Sequence, residues 1–327
     1  MFTTLMLPSP PSVSLPGSPT VFARSADDLR NAVRLSRHQT VHVDGQGLDR
    51  VLCVDAGGGC IEAQAATRWS ALSGALAREG HAVAALAQLD ATAWHTVGRA
   101  IAAAAPGPDG HPMGRHLVSF TMVLPDGDLK RVDRQSSPGL FDLVLGGQGS
   151  AGVLYSATLS VTSLLAAAAG AIAPEVLAFP DPPGRPERIE LLLPPERSGA
   201  FLDDLRERAE DRRIGLSSVT VRRYLPGPSG MLGWARREWA GIEVRYVLGP
   251  TLGAAVTRSE FRRSLLRQAV ALEGCFWLAD AADATRDALL TAYPRLPAFL
   301  AEKRRIDPSG RLQTRWSREL REKLRAR

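Results

Sequence analysis

The sequence contains no long hydrophobic run. The nearest candidate, the alanine-rich stretch Leu164–Ala173, is too short to cross a bilayer, which requires about 20 apolar residues. Residues 1–20 are rich in proline and serine, but they lack the basic start and continuous apolar centre of a signal peptide. We therefore predict no membrane span and an extended arm over residues 1–20.

Cysteine is also scarce. Cys53, Cys60 and Cys275 show no metal-ligand spacing, and an odd number of cysteines gives no disulfide framework. This usage favours a reducing compartment, so we expect a cytoplasmic protein.

One stretch near residue 40 combines histidine with aspartate. His38, His42, Asp44 and Asp49 lie close in sequence and could supply acid–base groups, or a metal site through His42 and Asp44. No further ligand follows at metal spacing. Loop residues at the surface beside a strand are therefore the favoured interpretation, and no metal is predicted.

The chain carries a net charge of +6 with a calculated pI of about 9.7. Much of this charge lies in the tail Lys303–Arg327, where acidic residues alternate with basic ones. A solvated helix with pairs such as Glu319–Lys323 accounts for most of it. Because no nucleic-acid-binding motif accompanies the charge, we predict no nucleic-acid partner.

The first half shows clear local signals. With 327 residues and 45% hydrophobic content, the chain is long enough for two domains. Ala26–Leu35 has helical spacing behind Ser25 as a candidate N-cap. Val118–Leu124 and Asp128–Val132 predict a hairpin, since Asp-Gly stands at the turn between them.

The proline-rich stretch Pro174–Pro186 marks a boundary. Beyond it, strands and helices predict an α+β domain in which helices cover an antiparallel sheet. The predicted strands are Glu187–Leu193, Leu216–Tyr224, Gly241–Val247 and Cys275–Leu278, and the predicted helices are Arg197–Arg212 and Arg258–Leu272. Its tryptophans could form an aromatic wall for a ligand, but core packing is the commoner role.

A glycine cluster lies between two apolar runs. Leu140–Leu145 reads as helix or strand, and Val153–Val161 reads as a strand. Gly146, Gly147, Gly149 and Gly152 lie between them, where glycine permits positive φ and close approach to a ligand.

Four segments resemble the FAD-linked oxidases of the vanillyl-alcohol-oxidase-like family, in the family's order. The glycine cluster with Val153 resembles the second flavin-contacting turn, and Lys303–Leu312 resembles the closing motif. Between them, Arg223–Pro228 and Tyr293–Leu296 are similar to the branch of decaprenylphosphoryl-ribose and aldonolactone oxidases. In addition, Thr96–Ala102 resembles a segment that begins a helix close to the flavin.

This resemblance implies an α+β flavoprotein with a two-part, PCMH-type FAD-binding domain over residues 21–165, its first part shortened. A substrate domain would follow over residues 187–302, and residues 303–327 would return to the first domain. The implied reaction is oxidation of a CH–OH group in a sugar-like or lactone substrate by hydride transfer to FAD. The implied cofactor-binding residues are Thr96, Val97, Gly98, Gly146, Gly147, Gly149, Gly152 and Val153.

The chain departs from the family pattern at several positions. The glycine-rich loop that holds the FAD pyrophosphate is missing, and only Gly45 and Gly47 lie in its place. Arg99 replaces a glycine, Pro106 stands where the flavin-side histidine is expected, and Asp280 stands where a lysine is expected. The catalytic residues are therefore unknown. A flavin-free scaffold or partner subunit that kept the fold is the alternative to an oxidase.

Overall fold

The computed structural model describes residues 5–6, 19–38, 40–55, 57, 59–81, 83–180, 184, 186–249 and 253–325. Most of the arm predicted for residues 1–20 therefore lies outside the described residues. The chain forms two compact units. The first comprises Met1–Ala171, Gly227–Gly233 and Arg295–Glu319, and the second comprises Ile172–Pro226, Trp234–Pro294 and Leu320–Arg327.

Helices and strands occur along the whole described chain. In order they are β1 (Leu5–Met6), β2 (Thr20–Phe22), α1 (Ala26–Leu35), β3 (Val41–Asp44), β4 (Val51–Asp55), β5 (Cys60–Gln64), α2 (Trp69–Arg78), α3 (Ala84–Ala87), α4 (Val97–Ala103), β6 (Leu117–Val123), β7 (Leu129–Asp133), α5 (Pro138–Val144), β8 (Val153–Ser160), α6 (Val161–Ala169), β9 (Glu175–Ala178), β10 (Pro186–Leu193), α7 (Ser198–Asp211), β11 (Gly215–Tyr224), β12 (Trp239–Val247), α8 (Ala254–Ala271), β13 (Cys275–Phe276), α9 (Arg286–Ala292), α10 (Leu296–Ile306), β14 (Leu312–Gln313) and α11 (Arg315–Arg325).

A small parallel sheet opens the first unit, in the order β14-β1-β3-β2. The helix α1 begins as predicted, because the Ser25 hydroxyl accepts the N–H of Asp28 while the Asp28 carboxylate accepts the N–H of Ser25. This reciprocal capping box satisfies two donors that the first helical turn leaves unpaired.

An antiparallel sheet completes the first unit, in the order β4-β5-β8-β6-β7. Its β6–β7 hairpin turns at Asp126-Gly127, as predicted, with Gly127 at φ +95°. One hydrophobic cluster joins α1 and the parallel sheet to the ends of β6 and β8; its members include Leu29, Val43, Val123 and Val153.

The second unit contains an antiparallel sheet in the order β13-β10-β12-β11-β9. Phe201 and Leu205 of α7 are buried, as are Phe261 and Leu265 of α8. Trp234, Trp239 and Trp277 are also buried. The mixture of helices and antiparallel sheets agrees with the predicted α+β class.

The run Leu140–Leu145, for which the sequence left helix or strand open, is largely helix within α5. Two other local predictions need correction. The predicted strand Cys275–Leu278 ends at Phe276, because a 3-10 turn follows at Leu278–Asp280. The boundary segment Pro174–Pro186 contains the edge strand β9, which pairs with β11. Within the described ranges, no helix has the length and apolar character needed to span a membrane.

Candidate functional site

The predicted glycine turn connects α5 to β8 in the first unit. Gly146, Gln148 and Gly149 all have positive φ, at 73°, 53° and 68°. Glycine adopts this region freely, whereas it costs an L residue such as Gln148 about 1–2 kcal/mol. Within the turn, Gln148 therefore has a strained backbone conformation, whereas Gly146 and Gly149 adopt the same region without strain.

Three of the predicted glycines have a packing role. A Cβ on Gly146 would lie 2.9 Å from the Ser229 carbonyl oxygen, and a Cβ on Gly147 would overlap the carbonyl oxygen of Leu143. A Cβ on Gly152 would overlap the methyl group of Met122. Close approach of backbone carbonyl oxygens within the first unit thus requires glycine at positions 146 and 147 without any ligand, whereas the neighbour of Gly152 is the end of a flexible side chain.

The backbone donors of the turn fall into two groups. Gly146 and Gln148 donate to the carbonyl oxygens of Ile101 and Ala102, at 3.0 and 2.9 Å, which caps the end of α4. By contrast, no hydrogen bond of the described residues uses the N–H of Gly149, Ala151 or Gly152.

Ala151 and Gly152 are buried, and buried N–H groups without an acceptor are rare in folded proteins. A ligand with acceptor oxygens or nitrogens would satisfy them. The turn is therefore the part of the predicted site that fits a cofactor.

The other predicted group begins α4. Thr96 is the N-cap, and its hydroxyl accepts the N–H of Arg99. Val97 and Gly98 donate to the carbonyl oxygens of Thr67 and Ala65, at 3.0 and 2.7 Å. Their backbone donors are therefore already used by the protein.

Packing also explains why glycine stands at position 98. A Cβ there would lie 2.7 Å from the carbonyl oxygen of Ala65, so glycine permits α4 to contact the segment after β5. Because α4 has seven residues, its ends are about 10 Å apart. The structure thus places Thr96–Gly98 at one end of α4 and the glycine turn at the other.

Val153, the last of the predicted cofactor-binding residues, lies at the start of β8 and belongs to the hydrophobic cluster of the first unit.

The loop that carries Pro106 contains a histidine that sequence reasoning treated as structural. His116 is 1% exposed, and its Nδ1 lies 2.6 Å from the Ser163 hydroxyl oxygen. Its Nε2 has no hydrogen-bond partner among the described residues and lies 3.3 Å from the point where Gly107 would carry a Cβ. Burial holds the pKa of His116 below its usual range, against the opposing effect of Asp109. The structure therefore brings a neutral imidazole beside Pro106 and Gly107.

The loop after β3 offers little to a pyrophosphate. The Asp44 carboxylate accepts the N–H of Gln46 at 2.9 Å, which places a negative charge in the turn. Arg99, the residue that replaces a glycine, is half-buried, and burial lowers the pKa of its guanidinium group. His42 was expected at the surface, but it is 6% exposed because β3 lies inside the parallel sheet. The described residues contain no group of three potential metal ligands.

Asp280 has a structural partner within the second unit. Its carboxylate lies 2.5 Å from the Arg262 guanidinium group, which also contacts Asp283 at 2.6 Å. Arg262 further donates to the carbonyl oxygen of Arg188. The position where the resemblance implies a lysine is thus part of a half-buried ion-pair cluster.

Comparison with known families agrees with the flavin-type assignment of the first unit. Residues 30–133 match the family model described as FAD binding domain. The match includes Thr96–Gly98 and ends before the glycine turn. It supports a PCMH-type FAD-binding domain here, and an FAD-linked oxidoreductase-type protein.

A curated relative from Streptomyces coelicolor, described as an uncharacterized protein in the mprA 5′ region, is 43% identical over 77 residues. The matched stretch covers 21% of this chain and 20% of the relative. The chain therefore spans about a fifth of the relative's length in this match.

Proposed function

We propose that the first unit binds FAD at the glycine turn and that the protein oxidises a CH–OH group of a sugar-like or lactone substrate. The observation that carries the proposal is the set of N–H groups at Gly149, Ala151 and Gly152 that no hydrogen bond of the described residues uses. Ala151 and Gly152 are buried, so each of their unsatisfied N–H groups costs about 1–3 kcal/mol, which a bound acceptor removes.

The strain at Gln148 supports the same location. A non-glycine residue in the left-handed region persists only where the surrounding structure enforces it, and such residues are concentrated at functional sites. The bonds from Gly146 and Gln148 to the end of α4 provide that enforcement. The donors at Gly149, Ala151 and Gly152 are thereby held in place before a ligand arrives.

Bound FAD would supply a two-electron acceptor for the hydride of the substrate. The protein's own residues would bind and orient it. Gly149, Ala151 and Gly152 would donate hydrogen bonds, and Thr96, Val97 and Gly98 would form the contact surface at the other end of α4. Gly146, Gly147 and Val153 would hold the turn and β8 in position.

Proton removal from the substrate hydroxyl needs an unprotonated base, and Pro106 cannot provide one. Burial lowers the pKa of His116, which favours its unprotonated form, and no described residue is a hydrogen-bond partner of its Nε2. It is the group in this loop best suited to accept a proton. We propose His116 as the candidate base.

The test begins with purified protein incubated with excess FAD and desalted, and then mixed without oxygen with sorbitol or with gulono-1,4-lactone. We expect retained flavin absorbance that one of these substrates bleaches. Retained but unbleached flavin would contradict the substrate class. A colourless protein would contradict the oxidase assignment and favour the flavin-free scaffold.

The His116→Gln variant tests the base. It keeps a hydrogen-bonding side chain of similar length but accepts protons poorly. We expect retained flavin with bleaching slowed by about 100-fold or more. Unchanged bleaching would exclude His116 from proton transfer.

A further inference from the structure

One face of the sheet in the second unit carries charged side chains on three adjacent strands. The register places Glu190 of β10 opposite Glu243 of β12, and Arg188 opposite Arg245. Arg222 of β11 lies opposite Gly241, on the same face as Glu243. We call Arg188, Arg222 and Arg245 the arginine cluster. The other face of these strands is apolar and includes Ile189, Leu191, Ile242 and Val244.

All three guanidinium groups contact one carboxylate. Glu243 lies 3.2 Å from Arg188, 3.4 Å from Arg222 and 2.7 Å from Arg245. The Glu243 side chain is only 4% exposed, whereas the arginine side chains are 37%, 31% and 47% exposed. The carboxylate is thus enclosed, and the cations around it remain accessible.

The cluster keeps an excess of positive charge. Glu190 is the other carboxyl group on this face, and it accepts a hydrogen bond from the buried Tyr224 hydroxyl at 2.5 Å. Burial raises the pKa of Glu190, which favours its neutral form. Within the described residues, three cations on this face therefore meet two carboxyl groups, and Arg188 also interacts with Asp280, which pairs with Arg262.

The cluster also keeps unused hydrogen-bond donors. A guanidinium group has five N–H donors, and each of these arginines uses one nitrogen atom on Glu243. Their guanidinium groups form no other hydrogen bond within the part of the chain that the structure describes. Accessible guanidinium groups with free donors are the preferred partners of carboxylate and phosphate oxygens.

We propose that the arginine cluster is a binding site for the carboxylate or phosphate group of a small molecule. Arg188, Arg222 and Arg245 supply the donors, and Glu243 is the internal carboxylate with which a bound anion competes for them. The site lies within the second unit alone, so it stands whether or not the first unit binds FAD.

Calorimetric titration of the whole protein with inorganic phosphate and with gluconate tests the proposal, at constant ionic strength. Acetamide, which carries neither a charge nor a hydroxyl group, is the control. We expect saturable binding of at least one anion and none of acetamide. Binding of phosphate alone identifies a phosphate site, and binding of gluconate alone identifies a carboxylate site. Absence of binding by both anions would overturn the proposal.

Arg222→Gln and Arg223→Gln form a matched pair on β11. Arg223 projects to the opposite side of the strand and pairs with Glu238 at 2.7 Å. We expect Arg222→Gln to weaken anion binding by about tenfold or more and Arg223→Gln to leave it unchanged. Equal effects of the two variants would show that binding is nonspecific. Should Arg222→Gln fail to fold, Arg188→Gln takes its place.

Glu243→Gln distinguishes a ligand site from a merely structural ion cluster. This variant removes the carboxylate that competes with the ligand for the three arginines. We expect tighter anion binding than in the unaltered protein, together with a lower melting temperature that the bound anion raises. Weaker anion binding by a folded Glu243→Gln variant would contradict the proposal.

Discussion

The buried pair Lys303–Asp307 fixes the return of the chain into the parallel sheet, and its removal gives a large predicted effect. The Lys303 Nζ lies 2.8 Å from Asp307 Oδ2, and the two side chains are 8% and 1% exposed. Asp307 also accepts the N–H groups of Arg311 and Leu312, at 2.9 and 3.0 Å. Leu312 belongs to β14 and to the hydrophobic cluster of the first unit.

Lys303→Met keeps the aliphatic stem and removes the cation. Loss of one partner from a buried ion pair typically costs about 3–5 kcal/mol, because the remaining charge stays buried without compensation. Two peptide donors still bind Asp307, so we expect a cost near the lower limit, about 3 kcal/mol. Asp307→Asn should cost about 2 kcal/mol, since an amide oxygen replaces only part of the hydrogen bonding.

Urea denaturation followed by tryptophan fluorescence measures these costs. Trp316 reports on the region, because its ring lies 6.2 Å from that of Phe299 on α10. The double variant should cost about 3 kcal/mol rather than the sum of the single costs, because the two side chains interact. The control is Glu302→Gln, which removes an exposed pair with Arg305 on the same helix and should cost at most about 0.5 kcal/mol. Strictly additive single costs, or a cost for Lys303→Met as small as that of the control, would refute this account.

Two further predictions concern Glu190 and the glycines. Burial raises the pKa of Glu190, so its contribution to stability is fully present below its unfolded pKa of about 4.5 and is lost as pH rises through the folded pKa. In the Glu190→Gln variant, the free energy of unfolding should decline less steeply above pH 4.5. This free energy is measured by urea denaturation at a series of pH values. An unchanged pH dependence in the variant would show that Glu190 is not responsible for the decline. Gly147→Ala should destabilise the protein by about 1–3 kcal/mol through overlap with the Leu143 carbonyl. Gly74→Ala should stabilise the protein by about 1 kcal/mol, because a Cβ at this position of α2 would contact no other atom of the described residues. Thermal unfolding of both variants measures these changes. Equal changes in the two variants would contradict the packing argument.

Local signals predicted the features that depend on neighbouring residues. Ser25 and Asp28 are three residues apart, and Asp126-Gly127 lies directly between two strands, so capping and turn formation follow from the sequence alone. The strand β9 was missed because it lies in a proline-rich segment and is stabilised by pairing with β11, about 40 residues away. Distant pairing of this kind leaves no periodic signal in a four-residue strand.

The candidate site was predictable in part. The glycine spacing indicated a tight turn, but it could not reveal that the carbonyl oxygens of Ile101 and Ala102 take two of the turn's donors. Nor could it reveal that Thr67 and Ala65 take the donors of Val97 and Gly98. These bonds join segments about 30–45 residues apart, and only the folded chain brings them together. The unused Nε2 of His116 was hidden for the same reason.

The tail was predicted as a solvated helix, and α11 is helical. Lys323, expected to pair with Glu319, donates to the carbonyl oxygens of Ala281, Ala282 and Ala284 in the second unit. Charge spacing on one helix could not predict this contact, because the acceptors lie about 40 residues earlier. The basic tail thus has a structural role that its composition did not indicate.

Residue-resolved amide hydrogen exchange of Gly146–Gly152, with and without FAD, tests the central claim most directly. The account predicts slower exchange on addition of FAD at Gly149, Ala151 and Gly152, whose N–H groups are unused. Gly146 and Gln148 serve as internal controls and should not change, since Ile101 and Ala102 already accept their N–H groups. Exchange that FAD leaves unchanged throughout the turn would contradict a flavin site there.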